Sequence, residues 1–143
     1  MLSPNLLLIR EIAEWWRSLC IERYCPLTSS LLKRRGLFED AVRAFMREHR
    51  VSAYIEVLGT DFLAVTGRAP EPLLAALAQF ELALIAVKRG DNREYRIAWP
   101  QDPSAVLDAL LQEDELPADS IPSEYLTLVS GELPGLFAVI GHA

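Results

Sequence analysis

Apolar residues at Leu6, Ile9, Ile12, Ala13, Trp16, Leu19 and Cys20 recur at three- and four-residue intervals, with Arg10, Glu11, Glu14 and Arg17 between them. That spacing predicts a helix from about Pro4 to Arg23. Pro26 ends it, because the residue before a proline is pushed away from helical geometry, and Thr28 or Ser29 is placed to cap a short helix running to Arg35 and stopping at Gly36. Leu37, Phe38, Ala41, Val42, Phe45 and Met46 form the stripe of a third helix, which His49 and Arg50 close with charge suited to a helix C-terminus. Ser52 to Gly67 reads as one or two short helices broken at Gly59, with Thr60 as the second cap. Pro70 and Pro72 open a fifth helix, whose apolar positions Leu73, Leu74, Leu77, Phe80, Leu84 and Val87 continue up to Lys88, Arg89 and Gly90.

After Asp91-Asn92 the pattern changes. Glu94 to Trp99 alternates polar and apolar residues that favour strands, and Pro100 terminates it. Pro103 to Leu111 is a short helix with Asp102 as its cap, and the acidic stretch Gln112 to Pro122 is a loop. Tyr125 to Val129 and Leu136 to Ile140, joined through Ser130-Gly131 and Pro134-Gly135, read as a final hairpin. The expected fold class is α+β: a bundle-like domain of about five helices over 1–90, then a small strand-helix-strand-strand lobe over 91–143.

At 143 residues, with 51% apolar and 24% charged residues, the chain has ordinary globular composition. It shows no secretory signal and no apolar run long enough to span a bilayer, so a reducing cytoplasm is expected, with Cys20 and Cys25 as thiols. The net charge of −6 disfavours nucleic acid as a partner, since phosphate neutralisation by Lys and Arg supplies most of that affinity. The charge is also unevenly placed. Met1 to Ser52 holds nine Lys/Arg against six Asp/Glu, and the rest holds five against fourteen. From Pro100 onward there are eight carboxylates and no Lys or Arg, a tail able to steer a basic partner surface or avoid an acidic one.

Little in the chain suggests chemistry. The two histidines, His49 and His142, stand at a helix end and next to the last residue, which argues against a shared metal site, and no HExxH, CxxC, GxSxG or phosphate-binding glycine loop occurs. Cys20 falls on the apolar face of the first helix and reads as a buried thiol. Lys33, Arg34 and Arg35 form the single basic run, which Arg43, Arg47 and Arg50 can extend into a patch. Trp15 and Trp16 are adjacent, so one helix face buries only one of them, and the other is expected at a groove or a subunit interface.

The run Phe38-Glu39-Asp40-Ala41-Val42-Arg43-Ala44-Phe45-Met46-Arg47-Glu48-His49, then Tyr54 to Leu63 with Gly59-Thr60-Asp61-Phe62-Leu63, then Pro72 to Ala83 around Phe80-Glu81, resembles one family. It is the partner proteins of multinuclear non-haem iron oxidative enzymes, which include the methanobactin-biosynthesis partner and once carried a DNA-binding label. The resemblance covers about a third of the chain and is a pattern of apolar positions. It implies a helical domain that docks on the iron enzyme and a C-terminal lobe that presents a ribosomally made precursor peptide, modified at cysteine, to the partner's active site. The chain itself would be a non-catalytic subunit of a heterodimer, without a cofactor, the iron belonging to the partner enzyme.

Peptide capture at a sheet edge uses backbone hydrogen bonds for affinity and alternate side-chain pockets for choice. Glu94 to Trp99 is the candidate edge, with Tyr95, Arg96, Ile97 and Trp99 as peptide-binding residues; the competing reading has Tyr95, Ile97 and Trp99 covering a helical core. Trp15, Trp16, Arg34 and Arg35 are the candidate partner interface. No residue is assigned to catalysis or to a metal. Two other functions stay open at this point. One is a DNA-binding transcriptional regulator, suggested by the helix–turn–helix-like spacing across Leu31 to His49. The other is a small thiol-dependent enzyme built on the cysteines.

Overall fold

The computed structural model describes residues 15–48, 55–113, 115–116 and 125–141. The expected first part of the N-terminal helix, both histidines and most of the Gln112 to Pro122 loop lie outside the described residues. The class is α+β, with helices leading and a three-stranded antiparallel sheet following. The chain divides into two compact units, 1–62 and 63–143.

In the first unit, helix α1 occupies 15–24, α2 Pro26–Arg34 and α3 Phe38–Glu48. Helix α4, Ile55–Thr66, crosses the division between the units. Pro26 starts α2 three or four residues earlier than a cap at Thr28 or Ser29 would, since a proline suits the first helical position, where its missing N–H is not needed. Thr28 and Ser29 are therefore buried inside the helix and do not cap it. Gly36 sits at φ +66° and ends α2, with Leu37 N–H donating to Leu32 C=O at 2.8 Å and Gly36 N–H to Lys33 C=O at 3.0 Å. That paired arrangement satisfies the last carbonyls and needs a left-handed residue at its turn.

Gly59 does not break α4, which runs through it. A β-carbon there would lie 2.0 Å from Cδ1 of Tyr24, so the glycine serves close approach between helices. Cys25 Sγ–H points at the carbonyl oxygen of the same residue, 3.6 Å away. Thr60 is likewise no cap: its hydroxyl donates back to Val57 C=O at 3.2 Å. Phe45 of α3 meets Phe62 edge-on, ring centroids 5.5 Å apart.

In the second unit, Pro72 again takes the first helical position, this time of α5, Pro72–Lys88, and Glu71 caps it by accepting the Leu74 N–H at 2.6 Å. Strand β1, Tyr95–Trp99, leads through α6, Pro103–Leu111, to β2, Tyr125–Val129, and a short 3-10 turn leads to β3, Phe137–Gly141. Asp102 caps α6 as expected, accepting from Ser104 N–H at 3.0 Å. The sheet order is β1-β2-β3, with Ile97 opposite Thr127 and Thr127 opposite Val139. Phe80 of α5 lies edge-on to both Trp99 (5.6 Å) and Phe137 (5.0 Å), tying helix to sheet. Aromatic side chains of this size contribute roughly 1.5–3 kcal/mol each when fully buried. Helix α5 thus belongs to the same unit as the strands, and that unit starts at Leu63, not at residue 91.

Among the described residues no helix is long and apolar enough to cross a membrane.

Candidate functional site

Gly90, at φ +99°, closes α5 with the same pair of bonds as Gly36: its N–H donates to Val87 C=O and that of Asp91 to Ala86 C=O, both at 3.1 Å. Asp91 is thereby fixed at the foot of β1. Its carboxylate gathers three donors: Arg93 backbone N–H at 2.8 Å, the Arg93 guanidinium at 2.8–3.1 Å, and the Tyr95 hydroxyl at 2.6 Å. The Arg93 side chain, then Tyr95, then the Arg93 amide hold the Asp91 carboxyl well below the usual carboxylate range. The hydrogen bond that Tyr95 donates to Asp91 pushes the Tyr95 phenol up, because ionisation would remove the donated proton.

Strand β1 lies at one edge of the sheet. Beside it is a groove of about 450 Å³, lined on the helix by Gln79, Leu82, Ala83 and Ala86 and on the strand side by Arg93, Tyr95, Arg96 and Ile97. Its helix side is largely aliphatic, and two arginines, Arg93 and Arg96, are among the residues that line it on the strand side. Arg93 and Arg96 have 76% and 72% of their side chains exposed, and Arg96 reaches Glu94 at 3.3 Å.

Three of the four expected peptide-binding residues therefore meet at one groove, and the fourth does not. Trp99 is buried against Phe80 and donates its indole N–H to the Thr127 hydroxyl at 2.9 Å, so it serves the core as the competing reading held. Ile97 is nearly buried too and offers only the groove's floor. Five groove residues lie outside the expected set: Arg93, and Gln79, Leu82, Ala83 and Ala86 of α5. The signal for those on α5 is that the helix is apolar on nearly every face, leaving more aliphatic surface than one packing contact needs.

The expected partner-interface residues do not form one patch. Trp15 and Trp16 are both exposed, at 62% and 52%, with rings 6.3 Å apart, and the expectation that one is buried is not met. Burial on α1 begins a turn later, at Cys20 and Ile21. Trp15 lines a cleft of about 440 Å³ with Leu19, Phe38, Val42, Arg43 and Met46, whereas Arg34 and Arg35 stand at the end of α2 and do not line it. Lys33 bridges to Glu22 and lies over the Phe38 ring at 5.4 Å. Cys20 and Cys25 are both buried and are not joined in a disulfide, so neither sulfur is open to a reagent in solution. Among the described residues no three His, Cys, Asp or Glu side chains gather as metal ligands would.

Fold and site together define an α+β chain whose second unit backs a short antiparallel sheet with one long helix and, among the described residues, has β1 as an edge strand beside it. Comparison with protein-family models, with curated proteins and with solved structures finds no match.

Proposed function

We propose that the chain is a non-catalytic partner subunit that captures an extended peptide along β1 and presents it to a multinuclear iron enzyme docked on the chain. The observation that carries the reading is the edge position of β1, unpaired on its outer side among the described residues, beside the α5 groove. An added strand there hydrogen-bonds to the backbone of residues 95–99, while alternate side chains enter the groove over Leu82 and Ile97. The resemblance of Phe38 to Ala83 to the iron-enzyme partner family supplies the enzyme and the class of peptide. The exposed Trp15 and Trp16, beside the cleft that Trp15 lines, supply aromatic anchors of the kind that dominate protein interfaces.

The test is affinity purification of the tagged full-length chain from its native host, then gel filtration, metal analysis and mass spectrometry. A stoichiometric complex with an iron-bearing protein supports the reading. A chain that elutes alone, or with partners that carry no iron, overturns it.

A further inference from the structure

The second unit is strongly acidic: residues 63–143 carry twelve Asp/Glu and five Lys/Arg. Four of those five basic residues, Lys88, Arg89, Arg93 and Arg96, fall within nine positions at the end of α5 and the start of β1, against only Asp91 and Glu94. The groove thus begins in the segment of this unit where its positive charge is concentrated. Two of the four, Arg93 and Arg96, line it beside an aliphatic floor.

From this we infer that the groove selects an acidic strand, one whose alternate residues are aliphatic and enter between α5 and β1 while carboxylates on the intervening residues meet Arg93 and Arg96. The inference rests on the reading of β1 as a peptide-accepting edge and adds the chemistry of what it accepts. It reverses the partner charge suggested by the acidic tail, because local rim charge governs contact while exposed charges farther away are screened over about 8 Å at physiological ionic strength.

Asp91 is part of the device. By chelating Arg93 through Nε and Nη2 it fixes the guanidinium against the Tyr95 ring, 5.7 Å from the centroid. A carboxylate arriving at the rim therefore meets a donor already ordered, which reduces the entropy lost on binding. Arg96, held to Glu94 only at 3.3–3.4 Å, exchanges that partner for an incoming carboxylate.

The experiment uses the isotope-labelled full-length chain and two ten-residue synthetic probes, one alternating glutamate with valine and the other lysine with valine, followed by amide chemical shifts and fluorescence anisotropy. The glutamate probe should move the amides of residues 93–99 and bind more tightly than the lysine probe, with affinity falling as salt rises. Arg93→Gln and Arg96→Gln should each weaken it roughly two- to fivefold, the range for partly exposed ion pairs. Arg68→Gln, the basic residue of the unit outside the cluster, should leave it unchanged. Equal or tighter binding of the lysine probe at the same amides overturns the acidic preference and leaves the strand-edge reading standing. Shifts confined to other residues, or no binding by either probe to the folded chain, overturn both.

Discussion

Gly59→Ala gives the sharpest test of how the first unit packs. In a helix interior the exchange alone favours alanine by about 1 kcal/mol, because glycine loses more backbone freedom on folding. Gly59 has no positive φ to lose, so backbone strain does not oppose the change. Opposing it is the Tyr24 ring: the new methyl would lie 2.0 Å from Cδ1, 2.6 Å from Cγ and 2.7 Å from Cε1. Cγ is the root of the ring, so no rotation of a flexible end relieves the overlap, and either Tyr24 leaves its rotamer or α1 and α4 separate. Overpacking of this kind costs about 1–3 kcal/mol, and separating the helices also lengthens the Cys25 Sγ contact with the Gly59 carbonyl. An overlap at 2.0 Å belongs in the upper half of that range, about 2–3 kcal/mol, so after the propensity gain of about 1 kcal/mol a net destabilisation of roughly 1–2 kcal/mol is expected, a loss of about 3–6 °C in Tm for a chain of this size. Urea and thermal unfolding followed by circular dichroism measure it. Tyr24→Ala should remove the penalty, so that in that background Gly59→Ala becomes stabilising. A wild-type-background variant at or above wild-type stability would refute the close packing, and would fit a glycine that merely interrupts the helix.

Three further outcomes follow from the second unit and the cysteines. Thr127→Val should destabilise by about 1–3 kcal/mol in denaturant titration, because it strands the buried Trp99 indole N–H that now donates to Thr127; an unchanged midpoint would mean the bond contributes nothing. Asp91 binds its proton less readily folded than unfolded, so its contribution is present above the unfolded value near 3.9 and is lost as pH falls through the lower folded value. Wild type should therefore exceed Asp91→Asn in stability at neutral pH, with a gap that narrows only under strongly acid conditions; a gap constant with pH would refute this. Cys20 and Cys25 should resist native alkylation and react on unfolding, and rapid labelling of either in the folded chain would reopen the thiol-enzyme reading.

Much of the fold was legible because its punctuation is local. Gly36 and Gly90 stop their helices through bonds made within six residues, and Asp102 caps α6 through a bond two residues away. The prolines mark helix starts, although Pro26 was read as ending α1 when it also begins α2. What stayed hidden depends on residues far apart in the chain. Gly59 looks like a breaker until Tyr24, thirty-five positions earlier, is found against it. Trp99 looks like a pocket residue until Phe80 and Thr127 enclose it. The parity that placed Tyr95, Ile97 and Trp99 on one strand face was readable, but which of the three reaches the groove depends on where α5 crosses that face.

The same distinction explains why the groove, and not the tryptophan pair, anchors the functional reading. At β1 several independent local features converge on one place. The closing turn of α5 delivers Asp91, Asp91 orders Arg93 and Tyr95, and those two stand where the edge strand begins beside an aliphatic helix face. Each is short-range and would survive modest shifts elsewhere, so the Arg93 end of the rim is held by its own neighbours without a bound partner. Preorganisation of this kind is worth little to a surface that only covers a core, since Ile97 and Trp99 already do that from the buried face. It matters where a flexible chain must be ordered on arrival, because each binding-site group already in place is one whose freedom is not lost on binding. Asp91→Asn separates the two roles. If the cluster only supports the fold, the variant lowers stability and leaves probe affinity per folded molecule unchanged; if it orders the rim, affinity for the glutamate probe falls at full folding, as Arg93 gains freedom it must lose again.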